Sequence, residues 1–352
     1  MKIDSRPKGR KTFVGGGQFG SEAKGSVVGY LARRHPYTAA IAAFPPSAGH
    51  TYVWQGKTLM NIMLPISVVA PTVREIFIGP GALVDVERLL LEIETAHSMG
   101  LMEGKRVLIH ENAGVVLPQH AAAERGQGLT DIGSTVKGGM AAQVDKMRRD
   151  PADQWVAREK LRGTALEQYV VGRRKYLAAL SGHDDVMIEG SQGFGLSMHH
   201  GSYPYTTARD TTPWAVAMDC GLPWSWAPEI ETVWVLRTYP IRVNNRTGYS
   251  GPAYPDSAET SFEEIGQATE LTTVTKLPRR IFTFSEQQLQ HLRDQCCNSR
   301  SWVALTFCNY AGLVATASLI ETIEREGLQV RLVNIGPDDS EMFTADYPRG
   351  QA

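Results

Sequence analysis

The stretch G-G-G-Q-F-G-S-E-A-K-G-S at residues 15–26 constrains the fold of this chain more than any other. It follows a short apolar run at 12–14 and leads into a pattern that ends before Pro36, so it reads as strand, glycine-rich loop and a helix over 22–34. Such a loop gathers unpaired backbone N–H groups at the positive end of a helix dipole, where a polyphosphate is stabilised. The spacing is not that of a P-loop, G-x-x-x-x-G-K-[ST]: Gly15 and Gly20 are correctly separated, but Ser21 follows and the lysine waits until Lys24. Lys24 then falls in the first helical turn, within reach of bound phosphate, with Ser26 able to cap or contact it.

Downstream, strand-like and helix-like runs alternate. Strands are predicted at 39–44, 51–54, 76–79, 106–110, 186–189, 232–236, 302–306 and 330–333. Helices are predicted at 155–180, despite an awkward Gly163, and at 317–326; Val86, Leu89, Leu90 and Ile93 repeat at helical spacing behind an Asp85 cap. The alternation predicts an α/β fold with a largely parallel central sheet and helices on both faces. Residues 244–258, rich in Gly, Pro and Ser, read as a loop rather than a boundary. With no internal repeat, the expectation is a basic lead-in at 1–11 and a single elaborated domain over 12–352.

The 352 residues carry a formal net charge of -1, which gives no global attraction to nucleic acid or to an anionic membrane. A free nucleotide is the better partner for the loop. Cys220, Cys296, Cys297 and Cys308 have no C-x-x-C spacing, and no run reaches roughly 18 apolar residues. A reduced, cytoplasmic protein without nucleic-acid or membrane partners is expected.

Further motifs follow the loop in order: S-A-G-H-T at 47–51, I-G-S-T at 132–135, E-G-S-Q-G at 189–193 with G-S-Y-P-Y-T-T at 201–207, the segment 272–280, and G-P-D at 336–338. Together with G-S-E-A-K-G at 20–25 they resemble the adenylosuccinate synthetase family, along nearly the whole chain. That family phosphorylates the 6-oxygen of a purine nucleotide and displaces the phosphate with aspartate, using Mg²⁺. The resemblance implies that Gly20, Glu22, Ala23, Lys24, Gly25, Ser26 and Thr51 hold the donor's phosphates. His50 would be the acid or hydrogen-bond donor at the 6-oxygen, a task that suits an imidazole. Gly49, through its carbonyl, and Ser21 would face Mg²⁺. The monophosphate substrate would lie against Ser21, Ser47, Ala48, Thr135, Gln192 and Thr207, with Arg149 reaching across a homodimer. Thr273, Val274, Thr275 and Arg279 would hold aspartate, and Asn309, Gly336 and Pro337 the donor base.

Three positions depart from the family pattern. Ser21 stands where the family has an aspartate that removes the N1 proton of inosinate; a hydroxyl is a poor base, but it leaves space for the 2-amino group of guanine and can accept its hydrogen bond. Leu277 replaces an arginine that contacts the ribose 2′-hydroxyl, which fits a deoxynucleotide. Asn309 replaces the aspartate that reads a guanine donor, and an amide suits adenine, so the donor is expected to be ATP or dATP. These changes, and a compressed region between Arg242 and Thr272, resemble a phage-encoded branch that joins dGMP to aspartate for 2-aminoadenine DNA. The alternatives are an ordinary inosinate-using synthetase with GTP, and a nucleotide sensor that has lost the chemistry.

Overall fold

The computed structural model describes residues 9–245, 248–272 and 276–345. Ten segments pair into one sheet: Lys11–Gly16 (β1), Ala39–Ala42 (β2), Glu75–Ile78 (β3), Arg106–His110 (β4), Val170–Val171 (β5), Val186–Gly193 (β6), Ile230–Arg237 (β7), Ser301–Thr306 (β8), Gln329–Asn334 (β9) and Met342–Thr344 (β10). Their order is β10-β9-β8-β7-β1-β6-β2-β3-β4-β5, and every neighbouring pair is parallel except β9 with β10. The central strands are short apolar runs buried along their length, as strands covered on both faces must be.

From β1 the chain moves outward through β2, β3 and β4; after β6 it crosses back and moves outward the other way through β7, β8 and β9. Right-handed crossovers therefore put the helix Lys24–Arg34 (α1) and the helix Val86–Ser98 on one face, and the helices Glu286–Cys296 and Cys308–Arg325 on the other. Asp85 caps the second of these as its sequence implies, accepting a hydrogen bond from the Arg88 amide at 3.1 Å. One cluster of buried apolar side chains runs from Phe13 to Ala345.

Several expectations change. The helix expected over 155–180 is broken into a single turn at Ala157–Lys160, a 3-10 turn at Glu167–Tyr169, β5, and a helix at Arg173–Leu180. Gly163 takes φ 75°, outside the helical range, and its amide is held by the Glu167 carboxylate at 2.7 Å. Residues 51–54 do not join the sheet but form a hairpin, His50–Trp54 against Lys57–Asn61. α1 begins at Lys24 rather than 22, because Ser21 and Ala23 are left-handed, at φ 58° and 61°. Lys11, expected in the lead-in, opens β1 and pairs with Glu229 at 2.9 Å. A small antiparallel sheet of Ile241–Arg242, Glu259–Thr260 and Arg280–Phe282 has no counterpart in the reading from sequence.

Candidate active site

The carboxyl ends of β1, β6, β8 and β9 open on one cavity of about 590 Å³. This is where the chain reverses its direction of travel across the sheet, the place at which open α/β sheets bind ligands. Four residues of the cavity wall have left-handed backbones without being glycine: Ser21, Ala23, Gln192 and Phe307, at φ 58°, 61°, 64° and 56°. Such conformations are disfavoured for L-residues and cluster where a site is held in a fixed shape.

Glu22 organises the loop from beneath. Its fully buried carboxylate accepts the amides of Gln18 at 3.2 Å and Gly20 at 2.6 Å, and takes an ion pair from Lys24 at 2.8 Å. Glu22 does not itself line the cavity, whereas Gly20, Ala23, Lys24, Gly25 and Ser26 do. Gly25 is required by contact: a Cβ there would lie 2.5 Å from the Thr51 carbonyl oxygen, so the loop and the hairpin touch through backbone. This brings Thr51, Gly49 and His50 against the loop.

His50 is 4% exposed and stacks on Phe44 at 4.5 Å. Burial, reinforced by the Lys24 charge, pushes its pKa down to about 3, so the ring is neutral at pH 7. Gly49 is exposed, with open space above its Cα. Ser21 is exposed on the cavity, and its hydroxyl accepts from Arg279 at 2.6 Å. Arg279 is in turn 3.9 Å from Glu270, whose carboxylate pairs with the buried Arg237 and accepts from Tyr310 at 2.9 Å. Arg237 also lies 3.7 Å over the Phe307 ring.

The remaining expected positions fall as follows. Ser47, Ala48, Thr135, Gln192, Arg279, Asn309, Gly336 and Pro337 all line the cavity, with Gln192 donating to the Ser47 hydroxyl at 3.1 Å. Thr207 lines an adjoining cavity of about 190 Å³ that shares Ser47, Thr135 and Gln192 with the first. Arg149 is exposed at the end of the helix Gly139–Arg148 and lines neither cavity. Leu277 is half-buried and outside the cavity wall. Thr273, Val274 and Thr275 lie outside the described residues. The reading from sequence missed Lys137, Glu270, Tyr310 and Asn334, which also line the cavity. Lys137 and Tyr310 lie two and one positions from motif residues that were read; Glu270 and Asn334 carried no local signal.

A fold of this order, with a glycine-rich loop, a buried histidine and a two-lobed cavity at the strand ends, is that of a nucleotide-binding ligase. The sequence profile described as Adenylosuccinate synthetase matches residues 13–155 and 151–307, and the chain belongs to that family. Among its relatives, the N6-succino-2-amino-2'-deoxyadenylate synthase of Acinetobacter phage SH-Ab 15497 is 37% identical, with 93% of this chain and 91% of the relative covered. The enzyme of the same name from Cyanophage S-2L is 39% identical, covering 93% and 90%. The adenylosuccinate synthetase of Methanococcus aeolicus is 30% identical, covering 93% and 97%. A solved structure of the Cyanophage S-2L succinoaminodeoxyadenylate synthetase, bound to dGMP and to dATP as an energy donor, superposes with a TM-score of 0.89 at 37% identity over 96% of each chain. The Plasmodium falciparum adenylosuccinate synthetase shares the fold, at TM-score 0.73 and 17% identity.

Proposed function

We propose that this chain is a C–N ligase that condenses dGMP with L-aspartate, driven by dATP or ATP, to give 2-aminodeoxyadenylosuccinate, nucleoside diphosphate and phosphate. The observation that carries the reading is Ser21: a neutral hydroxyl on the cavity wall, held by Arg279, at the position where inosinate-using members have a carboxylate. Relatives that share the phage name at 37–39% identity, one of them bound to dGMP and dATP, support the choice of substrate and donor.

The guanine 6-oxygen attacks the γ-phosphorus, the N1 proton passes to solvent water, and the nucleoside diphosphate leaves. The aspartate amine then attacks C6 and expels the phosphate. Neutral His50 donates a hydrogen bond to the 6-oxygen and to the phosphoryl oxygen that replaces it. Lys24 and the loop amides neutralise the donor's phosphates, exchanging part of the Lys24–Glu22 pair for ligand. Ser21 accepts from the 2-amino group, and Arg279 with residues 273–275 holds the aspartate carboxylates. The exposed Gly49 carbonyl and the Ser21 hydroxyl fit a Mg²⁺ bound mainly through phosphates, since that ion takes few protein ligands beside its waters. When bound, Mg²⁺ would offset charge on the transferring phosphoryl group. Arg149, exposed at its helix end, is free to enter the cavity of a second copy in a homodimer.

The test is phosphate release with Mg²⁺ and L-aspartate, crossing dGMP, GMP and IMP against dATP, ATP and GTP, with mass analysis of the product. Aspartate-dependent release with dGMP and an adenine donor is expected. Turnover confined to IMP with GTP returns the chain to ordinary purine synthesis, and binding without turnover makes it a sensor. His50→Asn is expected to lower kcat by about 10² to 10⁴ while leaving dGMP binding within a few-fold; unchanged turnover removes His50 from its role.

A further inference from the structure

His50 opens one strand of the hairpin and Asn61 closes the other, and the two are register partners, His50 opposite Asn61. Opposed residues of an antiparallel pair point to the same side, with Cβ atoms about 4.5–5.5 Å apart. Both are buried, Asn61 at 1% exposure and His50 at 4%. Nδ1 of His50 and both Nδ2 and Oδ1 of Asn61 are enclosed without a hydrogen-bond partner. Leaving such groups enclosed and unpaired is unfavourable. Here two unsatisfied side chains face the same space, and one of them lines the reaction cavity.

We propose that Asn61 is the positioning residue for His50: a rotation of the two facing side chains closes a bond, unmade in this structure, in which the amide N–H donates to Nδ1 and the imidazole keeps its proton on Nε2, the nitrogen left for the cavity. A neutral imidazole has one donor and one acceptor, and the bond made by one nitrogen decides the state of the other. A hydrogen-bond donor at the 6-oxygen needs Nε2–H, so Nδ1 has to accept. Asparagine fills this role better than a carboxylate. An amide turned over also presents Oδ1, so the same side chain can follow the ring if it takes up a second proton. Nδ1 is enclosed without a donor, so an orienting N–H is what it lacks. The inference rests on the role of His50 stated above.

Three variants of the full chain test it: Asn61→Leu, close in size and unable to hydrogen-bond, Asn61→Asp, close in shape and able only to accept when ionised, and His50→Asn as control. Asn61→Leu nearly conserves the side-chain volume while removing its polar atoms, so its thermal midpoint is expected to stay within a few degrees of the wild type. Its kcat is expected to fall roughly 10- to 100-fold, as for other residues that orient a functional histidine, with KM for dGMP and dATP within about two-fold. Turnover thus falls while stability holds, which loss of a merely structural contact would not produce.

The direct readout is the ¹⁵N shift of the His50 ring in histidine-labelled protein, assigned by its disappearance in His50→Asn. The wild type is expected to show Nε2 protonated, Asn61→Leu a mixture of tautomers, and Asn61→Asp the proton moved to Nδ1. A folded Asn61→Leu with unchanged kcat, or one tautomer common to all three proteins, overturns the proposal. If His50→Asn keeps its turnover, the role of His50 falls. If His50→Asn is dead while Asn61→Leu is fully active, only the role of Asn61 falls.

Discussion

At Glu189, burial and hydrogen bonding pull in opposite directions. The carboxyl is 1% exposed and accepts from the amides of Ile66 at 3.0 Å and Ser67 at 2.7 Å and from the Ser67 hydroxyl at 2.5 Å, bonds that favour the anion. Burial outweighs them and lifts its pKa to about 7. A folded-state value above the unfolded one means that the native protein binds the extra proton between roughly pH 4.5 and 7. The associated stability is present below the lower value and is lost as pH rises through the upper one. Denaturant midpoints of the wild type are therefore expected to fall between pH 5 and 8, by no more than about 3 kcal/mol in free energy. Glu189→Gln should flatten that dependence; an equal slope in both proteins would show that Glu189 does not cause it. The position is the first of the motif at 189–193, and its side chain faces the 3-10 turn Ile66–Val69, not the cavity.

The hairpin and the loop-helix unit meet through backbone at Gly25 and Thr51. A methyl group at Gly25 would lie 2.5 Å from one Thr51 backbone atom and 2.8 Å from another, so Gly25→Ala has to push the hairpin away. The expected cost is about 1–3 kcal/mol in unfolding free energy, with a larger loss of kcat than of stability because His50 travels with the hairpin. Thermal unfolding and turnover measured on the same preparation check it, and a stable, fully active variant would show that the hairpin adapts. Elements of this kind also explain what was legible in the sequence. The strands of the sheet announced themselves because strands buried on both faces are apolar throughout, and β4 was read to the residue. The 155–180 error arose where a single glycine outweighed a helical pattern. His50, Lys24 and Gln192 were legible because their motifs keep fixed chain spacing. Glu270 and Asn334 were not, because distant elements bring them to the cavity wall and no local pattern encodes that; Asn61 was not, because only the first strand of its hairpin was read. Arg149 and Glu22 were read from motifs, yet the fold puts one at an exposed helix end and the other beneath the loop.

Across the whole molecule, the cavity draws on the first strand of the sheet, its middle strands and its ninth, so a ligand that fills it ties together parts of the chain that are otherwise joined only through the sheet. dGMP and dATP together, each at 100 times its Kd, are each expected to add about 2.7 kcal/mol to stability. A calorimetric scan should show the midpoint rising with the pair and little with IMP and GTP; the reverse order would favour the ordinary synthetase. The position of β1 has another consequence, for the chain while it is being made. β1 has no neighbour until Val186–Gly193 exists, and its second neighbour, Ile230–Arg237, comes later still. At about 5–20 residues per second on the ribosome, the apolar segment around Phe13 and Val14 waits on the order of ten seconds or more before it can be covered. Over that interval the uncovered apolar segment is one that a chaperone can bind, and the finished cavity is a late product of synthesis.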